Sequence, residues 1–534
     1  MRRRSRQAAH LALAVPALYL CTLYDPGSGH YLNQPSPAAI QQVAAATSSL
    51  PSETGDWLSS PGGGPPGGVQ GASGRATPTA YHGCGPGARP ETGVQGQVPL
   101  ADQRSGASRA GYSCNMKLVG YNDIKARGAN FQLGWYRNCA YVGSVGTREG
   151  QTIGGDDLDG VAVIDASHAR HPKLVQIVRA PEGVSQHEAV EVNRKRGILV
   201  VETGGLFAQY LDVYDVSDDC RNPVFKARYD LGQRIYHGLR ITDDGRTVYA
   251  TDFTGIGNLS GSVLQAIDIS DPANPTLVLK WAPSQADPPG AWGVHDLELS
   301  RDGNRAYLGA EDPSATQGAL IAGPPSNTGP TMVVLDTSQV QARKPNPQVR
   351  IISEVSVANF GHAEQRATIN GKPYLFTSGE TPFGGESNCP WAWGNGIDLS
   401  DERHPKVVSE IKLEINQGEN CATTGPDHAT YSIHYTGIDR ERRTTMIFYT
   451  YYAGGVRAFD VRHPKRPREI AYYHPVPEPS TAHPPFSPDD GDFQGPAFDQ
   501  ASSNIRYLPK KHELWFVSVG RGFQVLKLTA PQVR

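Results

Sequence analysis

Six times along the chain an alternating apolar run ends in an aspartate and is followed by a short polar step to a proline. The runs are Val161-Ala-Val-Ile-Asp165, Leu211-Asp-Val-Tyr-Asp215, Leu264-Gln-Ala-Ile-Asp268, Met332-Val-Val-Leu-Asp336, Gly396-Ile-Asp398 and Val456-Arg-Ala-Phe-Asp460. The proline follows seven to nine residues later, whereas successive aspartates stand 50 to 68 residues apart. A motif held so tightly while its spacing drifts marks a repeated unit with insertions in variable loops. Each unit reads as four short strands. Strand A is a period-2 segment such as His187 to Val192, and strand B follows a polar turn such as Asp243 to Arg246. Strand C carries the aspartate, and strand D follows the proline, as in Pro172 to Val178. Four antiparallel strands per unit is the blade of a β-propeller. The aspartate is placed to accept turn amides and the proline to preset the next bend.

The six motifs mark six blades. Ile505 to Leu508, Leu514 to Ser518 and Phe523 to Leu528 supply three strands of a seventh. Its missing strand D is available as Met116 to Tyr121, so the N-terminal side closes the ring and leaves no open sheet edge. The reading is all-β, a seven-bladed β-propeller over 112–534.

The Asp-(Val/Ile/Leu)-Ser turn, its proline, the following Lys-Leu-Val and strand-B pieces such as Ala140-Tyr-Val resemble the LVIVD repeat of secreted bacterial propellers. Asp268-Ile-Ser-Asp-Pro-Ala-Asn-Pro275 is the nearest copy, while Asp336 to Pro345 and Asp460-Val-Arg-His depart from it. The resemblance covers roughly residues 115–530 and implies a propeller; it brings no established reaction.

Ahead of the repeats, Arg2, Arg3, Arg4 and Arg6 precede an apolar stretch from Leu11 to Leu23, which reads as an export signal peptide over 1–24. Residues 25–111 read as a disordered linker: 14 Gly and 8 Pro fall between 51 and 110, too little apolar surface to offset chain entropy. Lys plus Arg is 50 against 53 Asp plus Glu, so no basic excess exists to hold nucleic acid by its phosphates. No internal run is long enough to cross a membrane as a helix.

Of seven cysteines, Cys21 lies in the signal, and the remaining six contain no C-x-x-C pair. Three disulfides and an extracytoplasmic location, secreted, periplasmic or cell-surface, follow. Topology selects the pairing. Cys389 and Cys421 lie in long connections on one face of blades five and six. Cys139 and Cys220 lie at the other face of adjacent blades one and two, which leaves Cys84 with Cys114.

Aligning the blades places a histidine at the start of strand A in five of them: His187, His237, His295, His362 and His428. Blade seven offers Asn504 and blade one Asn122 or Asp123. Strand A is innermost, so these residues ring one mouth of the central channel. A carboxylate stands where strand B returns to that mouth: Glu202, Asp252, Glu311 and Glu380. Blade six has Tyr449, Tyr451 and Tyr452 there, read as packing. The long B–C and D–A connections share this face, where rigid scaffolds usually carry function.

Two readings of the ring stand. In one, each histidine packs between blades and bonds a neighbouring turn, as the Gly-His dipeptide of WD-type propellers does, which Gly361-His362 resembles. In the other, neutral imidazoles bind iron, copper or zinc, with the carboxylates as ligands or orienting partners. The function read from this is a binding protein whose loop-rich face takes an extracytoplasmic protein or small-molecule ligand, with the metal as the means. The alternative is a metal-dependent oxidoreductase. The arrangement is similar in architecture, without a motif match, to the His-ringed propellers of carotenoid oxygenases and the selenium-binding family. No catalytic residue and no oligomeric state is legible.

Overall fold

The computed structural model describes residues 24–25, 30–31, 75–144, 158, 160–179, 189–203, 210–232, 236–252, 263–286, 292–311, 330–356, 361–380, 389–423, 430–477, 494–495 and 497–531. The chain divides into two units, Met1–Gly71 and Ala72–Arg534. In the first, Tyr24–Asp25 pairs antiparallel with His30–Tyr31. The expected signal residues before Tyr24 lie outside the described residues.

The second unit is a seven-bladed β-propeller. Blade one comprises strands Asn130–Tyr136, Cys139–Ser144, Val161–Asp165 and Lys173–Val178 in the order A to D. Strand A of blades two to six is Val190–Asn193, Tyr236–Ile241, Gly293–Leu299, Glu364–Ile369 and Thr436–Ile438. Each opens a sheet whose next three strands follow in chain order. Blade seven runs Arg506–Leu508, Glu513–Ser518 and Gly522–Leu528, and its outer strand is Met116–Asn122 from the other end of the chain. Phe523 pairs with Asn122 and Leu528 with Met116, so the ring closes as expected.

Burial follows radius. Strand B of blades one, two, three and six is buried at every position. Outer strands such as Lys173–Val178 keep exposed residues. The core lies between blades: Val200 and Val213 meet Leu239 and Val248, and Val517 and Val525 meet Leu133 and Ile164 across the closing interface. Each such side chain is worth about 1.5–3 kcal/mol when fully buried.

All six motif aspartates end strand C and accept the backbone amide two residues on, at Ser167, Ser217, Ser270, Ser338, Ser400 and Arg462. Every blade also carries a register shift between strands C and D, one to two residues before strand C ends or, in blade seven, at Val525/Leu526. Such bulges sharpen twist, which a closed ring of sheets needs.

The three expected disulfides are present: Cys84–Cys114, Cys139–Cys220 and Cys389–Cys421. Three disulfides fit an extracytoplasmic protein. No helix among the described residues is long and apolar enough to cross a membrane.

The linker boundary is corrected: residues 75–111 are not a disordered tether but a clasp on blades five and six. Ala80 N–H donates to the Glu469 carbonyl, Thr77 N–H to Lys412 and Ile415 N–H to Gln95. Val98 enters the core beside Tyr431 and Leu413. Strand Tyr112–Cys114 then pairs with blade six's outer strand Arg468–His474 as a fifth strand. Beneath the clasp lies a buried charge cluster. The Arg457 guanidinium, with no exposed surface, pairs with Glu469 at 2.9 Å and with Glu91 of the clasp. His474 Nε2 lies 2.6 Å from the same Glu91 carboxylate. Burial opposes ionisation of Glu91, but Arg457 and then His474 outweigh it and hold the carboxyl well below its usual range.

Breaking a buried pair leaves its partners unanswered, which costs far more than the intact pair contributes. Arg457→Leu should therefore destabilise by about 3–5 kcal/mol, measured by urea unfolding. It should also make the 75–111 segment cleavable by trypsin under native conditions. Unchanged stability with a protected clasp would show that backbone pairing alone holds it.

Candidate metal centre

At one mouth of the channel four imidazoles from successive blades stand in contact. The ring centroids are 4.3 Å apart for His237–His295, 4.2 Å for His295–His362 and 4.5 Å for His362–His434. All four are buried. The carboxylate of Glu380, three residues past strand B of blade five (Lys372–Thr377), is their hub. Its Oε2 lies 3.3 Å from His295 Nε2 and 3.8 Å from His362 Nε2, and its Oε1 lies 3.4 Å from His434 Nε2.

Local backbone features aim these side chains. His237 and His295 both sit at register shifts in the A–B pairing of their blades, where a bulge rotates a side chain out of the pleat. The Thr251 hydroxyl, from blade three, donates to the His295 carbonyl and so joins the two blades at this height. His362 needs two glycines. A Cβ on Gly361 would lie 1.9 Å from the Thr331 carbonyl oxygen, and one on Gly309 would lie 2.1 Å from that of His362 itself. The Gly-His dipeptide is thus a close approach of blades four and five.

Tyr452 stacks on His434 at 4.4 Å and donates its hydroxyl to Glu380 Oε1 at 2.6 Å. Its backbone is in the left-handed region, φ 32°, which turns the phenol back toward the axis. The packing role expected for Tyr452 is therefore corrected; it holds the carboxylate. Phe131 and Tyr435 complete the wall, with ring centroids 5.4 and 4.6 Å from that of His434.

His434 fixes the chemistry of the cluster. Its Nδ1 bonds the Ser502 carbonyl, which can only accept, so Nδ1 carries the proton. Its Nε2 faces a carboxylate oxygen of Glu380 at 3.4 Å. A cation shared between them, proton or metal, makes that approach favourable. Two ligands about 2.1 Å from one ion stand at most about 4.2 Å apart, and the distances from Glu380 to the three imidazoles all fall inside that limit. The ligand atoms of His295, His362 and Glu380 lie within 4.8 Å of one another. Imidazole with one carboxylate suits iron, copper or zinc.

The other expected positions divide. His187, His428 and the side chain of Glu311 lie outside the described residues. In blade six the ring position is taken by His434, two residues before strand A. The expected Asn122 ends strand D of blade seven, with Asp123 just beyond it; blade one's residue at the ring is Phe131. Blade seven contributes the Ser502 carbonyl in place of Asn504. Glu202, next to last in its strand, and Asp252, last in its own, are buried, as are Asp296 and Glu364 of strand A. Burial, then Asp296 and Asp252, push the Glu202 carboxyl well above its usual range. Burial and Asp296 do the same to Glu364.

No family model matches the chain, so the LVIVD likeness rests on the repeat residues alone. No curated protein matches it either. Among solved structures the chain is similar to a protein from Lactobacillus plantarum, at 11% identity and a TM-score of 0.41, over 64% of this chain and 87% of that one.

A carboxyl whose folded pKa is raised contributes stability at low pH and loses it as pH rises above its unfolded value. Glu202→Gln removes that loss. The melting temperature of the variant relative to the parent should therefore be near zero difference at pH 4 and positive at pH 8. An equal shift at both pH values would mean that the Glu202 pKa is the same folded and unfolded, and a loss of stability confined to pH 8 would mean that it is ionised and paired.

Proposed function

We propose that this chain is an exported β-propeller that holds one transition-metal ion at the axial mouth, and that its loop-rich face uses that ion to bind a small-molecule ligand or an extracytoplasmic partner. His295, His362 and Glu380 are the central ligands, with His434 and His237 flanking them. The observation that carries the reading is Glu380: one carboxylate reached by imidazoles of three different blades. The signal-like N-terminus and the three disulfides support export. One feature favours a second reading, a metal-dependent oxidoreductase. The Tyr452 phenol, a proton donor, lies against the ligand set, where a merely structural ion would need no such group.

The test is metal analysis of the full chain purified from an export pathway. About one equivalent of iron, copper or zinc per chain is expected. The His295→Ala/His362→Ala double variant should lose it while keeping the parent's circular dichroism, since His295 sits at a bulge near the start of its strand and His362 two residues before one. Tyr452→Phe should keep the metal but bind it about 10- to 100-fold more weakly, as loss of an orienting partner does. A metal-free parent that shows no saturable binding of Fe²⁺, Cu²⁺ or Zn²⁺ would overturn the reading. Substrate-dependent oxygen consumption by the loaded protein would select the oxidoreductase.

A further inference from the structure

The channel has a second mouth, on the face of the short A–B and C–D turns, and it opens into a cavity of about 810 Å³. Every blade contributes, from Leu133 in blade one to Arg506 in blade seven. Eight lysines and arginines line it against five carboxylates, an excess of three positive charges in a chain whose formal net charge is −3.

The charges are unevenly matched around the rim. On the side of blades three to five they are answered: Arg366 pairs with Asp243 at 2.7 Å, and Arg240 lies 3.7 Å from both Glu191 and Asp296. On the side of blades seven and two only Arg194 is answered, by Glu441 at 3.2 Å. Lys195, Arg506, Lys510 and Lys511 have no carboxylate within ion-pair distance among the described residues. Arg506 is the centre of this group. It is half-buried, stacked 4.3 Å over Trp515, and held by one hydrogen bond from Nη1 to the Arg137 carbonyl at 2.7 Å. Burial, and then the Arg194 charge, lower its pKa to about 10. A half-buried arginine with no carboxylate partner is a site that an anion would stabilise. Beside it Leu133, Trp135 and Ile505 give the cavity an apolar wall.

We infer that this mouth is a second binding site, independent of the metal, for a small organic dianion: a phosphate ester or dicarboxylate whose charged group meets Arg506, Lys510 and Lys511 and whose apolar part lies on Trp135. Arginine supplies a planar fork for either head group, and the lysines add point charge. The cavity is large enough for such a ligand and too small for a folded partner.

Phenyl phosphate and phthalate, titrated separately into the full chain by calorimetry, test this. Saturable 1:1 binding of at least one is expected, weakening as salt rises; the tighter of the two identifies the head group. Arg506→Gln should reduce affinity about 10-fold or more. Because Arg506 also packs on Trp515, Lys510→Gln/Lys511→Gln serves as a surface variant that leaves the fold untouched, and it too should weaken binding. His295→Ala should bind as the parent does. No saturable binding, or equal affinity in the parent and both cavity variants, overturns the inference. Loss of binding in His295→Ala alone would place the anion at the metal mouth and overturn it as well.

Discussion

The structure depends on one strand pairing, Met116–Asn122 against Gly522–Leu528. Without it blade seven would have three strands and an open outer edge, and the ring would have no axis. The histidines meet only because the ring is closed, since each comes from a different blade and none is near another in sequence. Closure joins residues about 400 apart, which costs on the order of 5 kcal/mol in loop entropy. The clasp bears directly on this step. Cys114, bonded to Cys84, is two residues from the first residue of the closing strand. Strand Tyr112–Cys114 anchors the same stretch to blade six. The closing strand is thus presented to blade seven by a segment already fastened to its neighbour.

The parts of the fold that repeat were legible because the repeat encodes them locally. An aspartate two residues ahead of an amide it can accept works the same way in six blades, and a chain with six such turns, one strand ahead of them and three after them has few ways to close. The disulfides followed from that topology, since only cysteines on the same face can meet. The clasp was not legible. A composition argument counts apolar surface, and this segment has little. It is held by backbone bridges and by Glu91 against Arg457, two charges more than 360 residues apart whose pairing no local pattern records.

The site was half legible for a related reason. Alternation places residues on a face but cannot choose between His428 and His434, which are six apart and share parity. Bulges at His237 and His295 change where a side chain points without changing composition. Tyr452 depends on a left-handed backbone at a residue that is not glycine, and nothing in its neighbours announces that. Glu380 was found because it ends the return path of a strand, although its role as hub needed three other blades to be seen.

The contacts also bear on the two readings of the histidine ring. A histidine copied by repeat duplication for packing would bond within its own blade or to the same neighbouring turn in each copy. Here the contacts differ from blade to blade and converge. His295 of blade four and His434 of blade six both reach Glu380 of blade five, and His434 is oriented by a carbonyl that leads into blade seven. Blade one has Phe131 at the ring instead. Repetition therefore accounts for where a residue can stand, and departures from repetition account for what the mouth can hold. A buried carboxylate facing several imidazoles is costly unless a positive charge lies among them. A shared proton can neutralise one such contact at a time, whereas the buried His295, His362 and Glu380 form a group that could hold a metal ion, drawn from two different blades.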